Sequence, residues 1–446
     1  MPDCSADEPP RPSLSPANSS TDHSSESTST IAVSPSRLRS ASPDGGVRAY
    51  LCVLGAFLAL FSTFGQLNSF GVFQVWYGAH ELQYLRPSAI SWIGSLQLWL
   101  FFASVSRLYD KYGPRSLLIT GTLLCAVSTV GTSLCTEYYQ FIICQGILFG
   151  LGVGLLFYPS LASVATHFHR YRATALGLAS AGSSVGGVVY PIMYQRLFEA
   201  VGFGWGVRIS CLISTVCCGI ALLTVSCHEF KEKDPGPCVD CSSVRDMRFI
   251  LLAGGSCFVS LGIYIPNFYI SEYALTASIS PAMTFYVLSV LNAGGIFGRI
   301  APASLSDAVG RFNLIVPAAL LSGVACLVFW LFAKTLVPIM LFAAVYGFLS
   351  GAFIALITPC VAQISELRVI GTRIGMLYTI VSVPSLVGEP IAGALLAHAQ
   401  QHAASVAPTT TVYTSMIIYS GATLVAGSLL IFCAKLQTDR RILACI

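Results

Sequence analysis

The sequence contains few charged residues. Asp, Glu, Lys and Arg make up only 10% of its 446 residues, whereas hydrophobic residues make up 54%. Soluble domains typically carry about 25% charged residues. The chain also lacks a Walker-type phosphate-binding loop and the HExxH motif of zinc hydrolases. These absences argue against a soluble enzyme and an ATP-driven pump, and we predict that the protein is not an enzyme.

The cysteines do not indicate a metal or cofactor site. Most of the 16 cysteines lie inside apolar stretches, where cysteine behaves as a small hydrophobic residue. Cys238 and Cys241 form a CxxC pair, but a zinc clip normally needs a second pair of ligands. We therefore predict no metal and no cofactor, with a zinc clip at this pair as the alternative.

Long apolar stretches dominate the sequence. A helix needs about 20 apolar residues to cross a hydrocarbon layer about 30 Å thick. Twelve such stretches are centred near residues 62, 97, 126, 151, 182, 215, 259, 291, 322, 348, 384 and 423. The sequence therefore predicts an all-α membrane protein with twelve transmembrane helices.

Two halves of the chain share landmarks at nearly one offset. Asp110 and Asp307 are 197 positions apart, and Pro159 and Pro359 are 200 apart. Parallel repeats of apolar spans are typical of secondary transporters, in which one half rocks against the other around a central site. We predict two six-helix bundles at 44–227 and 248–435, joined by a polar loop at 228–247.

The two ends of the chain are polar. Residues 1–43 contain 13 Ser and 7 Pro, and a segment with so few large apolar side chains cannot bury enough surface to fold. We predict a disordered tail at 1–43 and a short tail at 436–446.

The basic residues predict the orientation. Lys and Arg in short loops tend to remain in the cytoplasm. If the N-terminus is cytoplasmic, 20 of the 24 basic residues lie at or toward the cytoplasmic side. The other four are Arg86, Arg196, Arg208 and Lys334. Both termini should therefore be cytoplasmic, in a multi-pass protein that we place in the plasma membrane as a monomer. Because this asymmetry accounts for the net charge of +4, we expect no nucleic acid partner.

Each half repeats a D-x-x-G motif followed by arginine. Gly113 and Gly310 would allow a tight reversal of the chain, and a carboxylate beside them would cap a neighbouring helix and pair with an arginine. Ordinary flanking charge is the alternative. The predicted gating residues are Asp110, Arg115, Asp307 and Arg311.

Several segments carry a family resemblance. DGGVRAY at 44–50, HFHRYRATALGLASAGSSVGG at 167–187, LNAGGIFGR at 291–299, GIYIPNFYI at 262–270 and VGEPIAGAL at 387–395 resemble the monocarboxylate porter branch of the major facilitator superfamily, its fungal members in particular. The resemblance implies alternating-access transport of a small organic solute of the carboxylate class, with protons as the driving ion.

Arg299 is the main substrate-binding candidate. It lies eight residues before Asp307, about 12 Å along the helix and inside the bilayer, where a charge normally faces a cavity. The resemblance implies that it holds a carboxylate, because an arginine matches this place in animal porters. Those porters have an acidic residue one turn earlier, where this chain has Gly295. The alternative is that Arg299 ties helix ends together.

Other polar residues within the spans complete the candidate site. Amides suit an oxygen-rich solute but also hold helices together, and tyrosines beside prolines would form a cavity wall. The further substrate-binding candidates are Gln66, Asn68, Gln74, Asn292, Tyr158, Tyr264 and Tyr378. Glu389 is the proton-coupling candidate, because a carboxyl group inside the bilayer can load and release a proton.

Three functions fit these features. The first is proton-coupled transport, by symport, of an organic carboxylate. The second is efflux of a secondary metabolite, and the third is a sensor that binds a solute without carrying it. The expected partners are a small solute, protons and the lipid bilayer.

Overall fold

The computed structural model describes residues 45–103, 108–168, 172–226, 245–277, 279–365, 370–402 and 409–438. In these ranges the chain forms long helices and no strand. The helices are α1 Val47–Ala79, α2 Pro87–Ala103, α3 Leu108–Thr132, α4 Tyr138–His167, α5 Arg172–Val201, α6 Phe203–Thr224, α7 Met247–Thr276, α8 Pro281–Val309, α9 Arg311–Trp330, α10 Leu336–Gln363, α11 Ile370–His402 and α12 Thr411–Thr438.

The helices confirm the predicted fold class. Ten of them are long and apolar enough to cross a membrane, and α2 and α8 pack among them, so that each predicted apolar stretch lies in one helix. Within each half, α1 packs on α4, α5 and α6, and α7 packs on α11 and α12. Between the halves, α2 packs on α11 and α5 packs on α8.

The first helix of each half is interrupted near its middle. In α1 the break falls at Thr63, before Phe64. In α7 it falls at Ile263 and Tyr264, and Pro266 lies at the start of the segment that follows. Because proline lacks the N–H that would bond to a carbonyl in the preceding turn, Pro266 interrupts the hydrogen bonding of α7 and is tolerated in the first turn of the second segment.

The repeated D-x-x-G motifs end in the predicted chain reversals. Gly113 and Gly310 have φ values of 73° and 94°, a left-handed region that side chains other than glycine's rarely adopt. The side chains of Asp110 and Asp307 lie outside the described residues. The predicted 1–43 tail also lies outside them, as do Cys238, Cys241 and residues 228–244 of the predicted central loop.

Glycines allow close packing within each half. A Cβ at Gly182 would collide with the carbonyl oxygen of Phe57 in α1, and a Cβ at Gly298 would collide with that of Phe348 in α10.

Residues 182–186 also match the GxSxG motif of serine hydrolases. In this chain the motif lies inside the continuous helix α5, without the strand and turn that expose the nucleophile in hydrolases.

Candidate functional site

A cavity of about 420 Å³ lies between the two halves. Four helices from each half line it, namely α1, α2, α4 and α5 and then α7, α8, α10 and α11. It reaches the end of the bundle near the chain termini, because Thr166 and Leu176 line it and α4 ends at His167. We call this the termini end. At the opposite end Phe70 packs on Phe268 across the halves, with ring centroids 5.0 Å apart.

Aromatic side chains form much of the wall. Both helix breaks contribute, through Phe64 in α1 and Tyr264 in α7. Tyr378 stacks on Phe102 with ring centroids 5.5 Å apart, and its hydroxyl lies 2.7 Å from that of Thr358. The aromatic lining residues are Phe64, Phe101, Phe102, Phe157, Tyr158, Tyr264, Phe353 and Tyr378.

Arg299 is the one cationic residue among the described residues that line the cavity. Its side chain is 5% exposed. The guanidinium donates from Nη1 to the carbonyl oxygen of Ser180 at 3.0 Å and to the hydroxyl of Ser183, and it lies 5.9 Å from the ring centre of Phe64. Its Nε has no hydrogen-bond partner in the described part of the chain. No carboxylate is among the described lining residues, so a buried positive charge faces the cavity without a neutralising partner.

The predicted site residues divide into two groups. Arg299, Tyr158, Tyr264 and Tyr378 line the cavity, whereas the four amides do not. Gln66 bonds to Ser214 and to Tyr194 inside the first half. Asn68 donates to the backbone of Ser183 at 3.5 Å. These two amides join helices, which is the alternative that the sequence left open.

The other two amides are buried where the halves meet. Asn292 donates to the carbonyl oxygen of Leu288 at 3.0 Å and packs where a Cβ at Gly187 of α5 would stand. Gln74 is buried beside the polar groups of Tyr269 and Glu272 in α7.

Glu389 lies away from the cavity, toward the opposite end of the bundle. It is fully buried where α11 packs on α2, and the Ser95 hydroxyl donates to its Oε2 at 3.4 Å. The hydroxyl of Tyr269 donates to the carbonyl oxygen of Glu389 at 3.2 Å. Glu389 is therefore not among the residues that line the cavity.

The predicted gating arginines lie at the termini end. Arg115 is exposed, and Arg311 donates to the carbonyl oxygen of Pro359 at 3.1 Å, which ties α9 to α10. Sequence reasoning missed an ion pair at this end. Asp246 accepts the backbone N–H of Arg248 at the start of α7, and it pairs with Arg373 of α11 at 3.1 Å.

The arrangement is suited to holding a small amphipathic anion. Aromatic faces can pack on an apolar body, and a guanidinium can accept a planar carboxylate with two hydrogen bonds. Sequence reasoning missed Phe64, Phe101, Phe102, Phe157 and Phe353, because a phenylalanine in an apolar span carries no signal that separates cavity from core.

Known proteins of similar sequence are fungal transporters. The chain is 38% identical to the MFS transporter asaE of Aspergillus flavus, with 89% of this chain and 88% of that protein covered. It is 36% identical to the agnestins efflux protein AgnL12 of Paecilomyces divaricatus, over 87% and 88%. It is 34% identical to the aspyridones efflux protein apdF of Emericella nidulans, over 88% and 79%.

The fold and a family model agree with these relatives. A crystal structure of a bacterial homologue of the human lysosomal transporter Spinster, inward-facing and unoccupied, superposes with a TM-score of 0.62 at 14% identity and covers 90% of this chain and 99% of that one. The model of the Major Facilitator Superfamily matches residues 53–389. On these grounds the chain is a multi-pass membrane protein that belongs to the Major Facilitator Superfamily of transporters.

Proposed function

We propose that the protein is a secondary active transporter that exports a small organic carboxylate of the secondary-metabolite type by alternating access. The observation that carries the proposal is the unneutralised Arg299 in an aromatic cavity between the halves. Two relatives named as efflux proteins favour export over uptake. Efflux of a secondary metabolite, the second of the three functions that the sequence allowed, is therefore the function that we propose.

The size and lining of the cavity define the solute class. Sites for small organic molecules have volumes of about 300–1,000 Å³, and the cavity of about 420 Å³ falls in this range. Aromatic walls favour a solute with rings or conjugated double bonds, and Arg299 favours an acidic group. The resemblance to the monocarboxylate porter branch points to the same chemical class.

Protons are the proposed driving ion, and Glu389 is the proposed proton-binding residue. An exporter driven by an inward proton gradient would exchange protons for solute. Glu389 suits this role because its carboxyl group is fully buried where the two halves meet, and relative movement of the halves would change its access to water. The protein would operate as a monomer in the plasma membrane.

An export assay tests this function. Yeast cells expressing the chain are loaded with a labelled aromatic carboxylic acid, and we expect them to lose it faster than cells carrying an empty vector. A proton uncoupler should remove the difference. Equal loss in the two strains, across a panel of such acids and with the protein present at the cell surface, would contradict export. Net accumulation of the labelled acid in the expressing cells would show uptake instead of the proposed export.

The proposed orientation is testable with tags. Epitopes placed after Ile446 and within residues 235–243 should be protected in intact cells, whereas one near Ala404 should be accessible, because 20 of 24 basic residues lie at or toward the predicted inner side. Antibody labelling before and after permeabilisation gives the answer. External labelling of the tag after Ile446 would reverse the orientation.

The proposed gating residues act at the termini end. Asp307→Asn should keep the amount of protein at the surface but lower the maximal transport rate several-fold, because it removes a charge from the inner gate rather than from the solute. Measuring the transport rate as a function of solute concentration separates a change in maximal rate from a change in apparent affinity for the solute. An unchanged maximal rate, or a change confined to apparent affinity, would remove Asp307 from the gate.

A further inference from the structure

Two cysteines lie side by side at the end of the bundle opposite the termini. Cys135 is in the short turn between α3 and α4, and Cys144 is in the second turn of α4. Their thiols are close enough to hydrogen-bond to each other. The Cys135 thiol donates to the carbonyl oxygen of Gly131 at 3.2 Å, and a Cβ at Gly131 would stand 2.9 Å from the sulfur of Cys144. Both sulfur atoms therefore adjoin Gly131, whose missing side chain leaves room for them.

The turn that carries Cys135 is held by hydrogen bonds on both sides. The side chain of Gln140 in α4 accepts the backbone N–H of Glu137 at 3.2 Å. Arg208 of α6 donates from Nε to the hydroxyl of Ser133 at 3.1 Å. The position of Cys135 is therefore set by its surroundings and does not depend on the contact between the thiols.

Cys144 is fixed in a similar way. The hydroxyl of Ser128 in α3 donates to the carbonyl oxygen of Cys144 at 2.8 Å. The same oxygen accepts the backbone N–H of Phe149, five residues further on, because α4 is π-helical over Ile142–Leu148. Such segments are rare and are often found at functional positions. The backbone thus presents the two cysteines to each other, and joining their sulfur atoms needs little movement of the chain.

The pair lies near the membrane surface that the proposed orientation places outside. α4 ends at the termini end, so its first turns lie at the opposite end. The helix has 30 residues and is about 45 Å long, so that, if centred, it extends about 7 Å beyond each side of a hydrocarbon layer about 30 Å thick. Cys144 lies about 9 Å along α4, close to the boundary of that layer. This side faces the lumen of the secretory compartment during synthesis and the exterior later, and both are oxidising.

We propose that Cys135 and Cys144 form a structural disulfide. The Cys135 thiolate attacks the disulfide of an oxidised dithiol enzyme of the secretory compartment, and the Cys144 thiolate then displaces that enzyme from the mixed disulfide. One S–S bond forms and one breaks, and the two thiol protons of the chain end on the reduced dithiol of the enzyme. The proposal goes beyond transport and depends on the proposed function only for the orientation.

The bond would stabilise the first half without tying it to the second. Both cysteines belong to the first half, so the disulfide leaves the movement of one half against the other unrestricted. It reduces the freedom of the unfolded chain. It also fixes the outer end of α4, the helix that lines the cavity through Phe157 and Tyr158.

A digest of the native chain tests the bond directly. Yeast cells that express the chain are quenched in acid, free thiols are blocked with N-ethylmaleimide, and the purified protein is cut with chymotrypsin without reduction. Tyr138, Tyr139 and Phe141 separate the two cysteines in the sequence, so chymotrypsin leaves them on different peptides. We expect one peptide with Cys135 and one with Cys144 that remain joined until a reductant is added.

Differential alkylation gives the oxidised fraction of each cysteine. Free thiols take a light reagent, and thiols that reduction releases later take its heavy form. The heavy-to-light ratio at Cys135 and Cys144 should exceed that at Cys125 and Cys218 at least about tenfold. The latter two thiols also interact with each other, but they are buried inside α3 and α6, where the oxidant does not reach them.

Single substitutions identify the partners. Cys135→Ser should leave Cys144 with the light label, because its partner is gone, and Cys144→Ser should do the same to Cys135. Cys257→Ser in α7 is the matched control and should change neither label. Reduction should lower the melting temperature of the purified native chain by at least about 2 °C, but not that of the Cys135→Ser protein.

Three labelling results would overturn the disulfide. The first is light label at Cys135 and Cys144 in the native chain. The second is a Cys144 that stays oxidised in the Cys135→Ser protein, and the third is equal oxidation of Cys125 and Cys218, which would place the oxidation after cell lysis. A melting temperature that reduction leaves unchanged would overturn the stabilising role.

These outcomes are independent of transport. No readout of the disulfide involves a solute, so a chain without the bond can still export an acid. Conversely, a joined pair of peptides from a chain that exports nothing would reject the proposed function and leave the disulfide in place.

Discussion

Arg299→Gln should greatly weaken export of an organic acid while leaving export of its methyl ester largely intact. Hydrogen bonds to a charged group contribute about 1.5–3 kcal/mol, which corresponds to about a 10- to 150-fold loss in apparent affinity for the acid. The ester carries no negative charge, so it loses little when the guanidinium is removed. Export of the acid and the ester, each measured over a range of concentrations, gives the two affinities.

Two further variants separate binding from structure. Arg299→Lys retains the charge but not the planar pair of donors, and should also lose the acid. Arg196→Gln is the matched control, because it removes an exposed arginine from outside the cavity and should change neither affinity. If Arg299 only ties α8 to α5 through Ser180 and Ser183, Lys should retain most of the activity. Normal acid export by a well-expressed Arg299→Gln protein would exclude carboxylate binding at this residue.

The position of Arg299 was predictable because a charge inside an apolar span is costly. A guanidinium group in contact with lipid would be unfavourable, so Arg299 must face a cavity or an interaction partner. The place of the tyrosines near Pro159 and Pro266 in the cavity wall was predictable for a similar reason, because proline interrupts helices where a cavity can form. Strong local signals of this kind need no knowledge of which helices are neighbours.

The positions of the amides were not predictable in the same way. Gln66 and Asn68 belong to the same span as Phe64, but helical rotation directs Phe64 to the cavity while the two amides bond to α5 and α6. Both surfaces are buried, so hydropathy cannot distinguish them. The pairing of Asp246 with Arg373 joins residues 127 positions apart and likewise requires the packing of α7 against α11.

The glycine patterns show a further limit of sequence reasoning. The GxxxG pattern indicates that two helices approach closely, and such an approach is observed at Gly182 and Gly298. Both glycines face helices of their own half. The pattern records close approach and does not identify the neighbouring helix.

Gly298→Ala should be strongly destabilising for a change of one methyl group. A Cβ at this position meets the carbonyl oxygen of Phe348, which belongs to the backbone and cannot rotate away as a flexible side chain can. Separating α8 from α10 should cost about 1–3 kcal/mol, as overpacking of a core does. A lower melting temperature of the detergent-solubilised protein, and less monodisperse protein after purification, would report this.

Gly254→Ala is the matched control for that experiment. Gly254 lies inside α7, and a Cβ there meets nothing within 4 Å. Because alanine is a better helix former than glycine, by about 0.5–1 kcal/mol, this variant should be as stable as the parent or slightly more stable. Equal melting temperatures for Gly298→Ala and Gly254→Ala would mean that α8 and α10 can move apart freely. The two helices could then not hold Arg299 rigidly at the cavity wall.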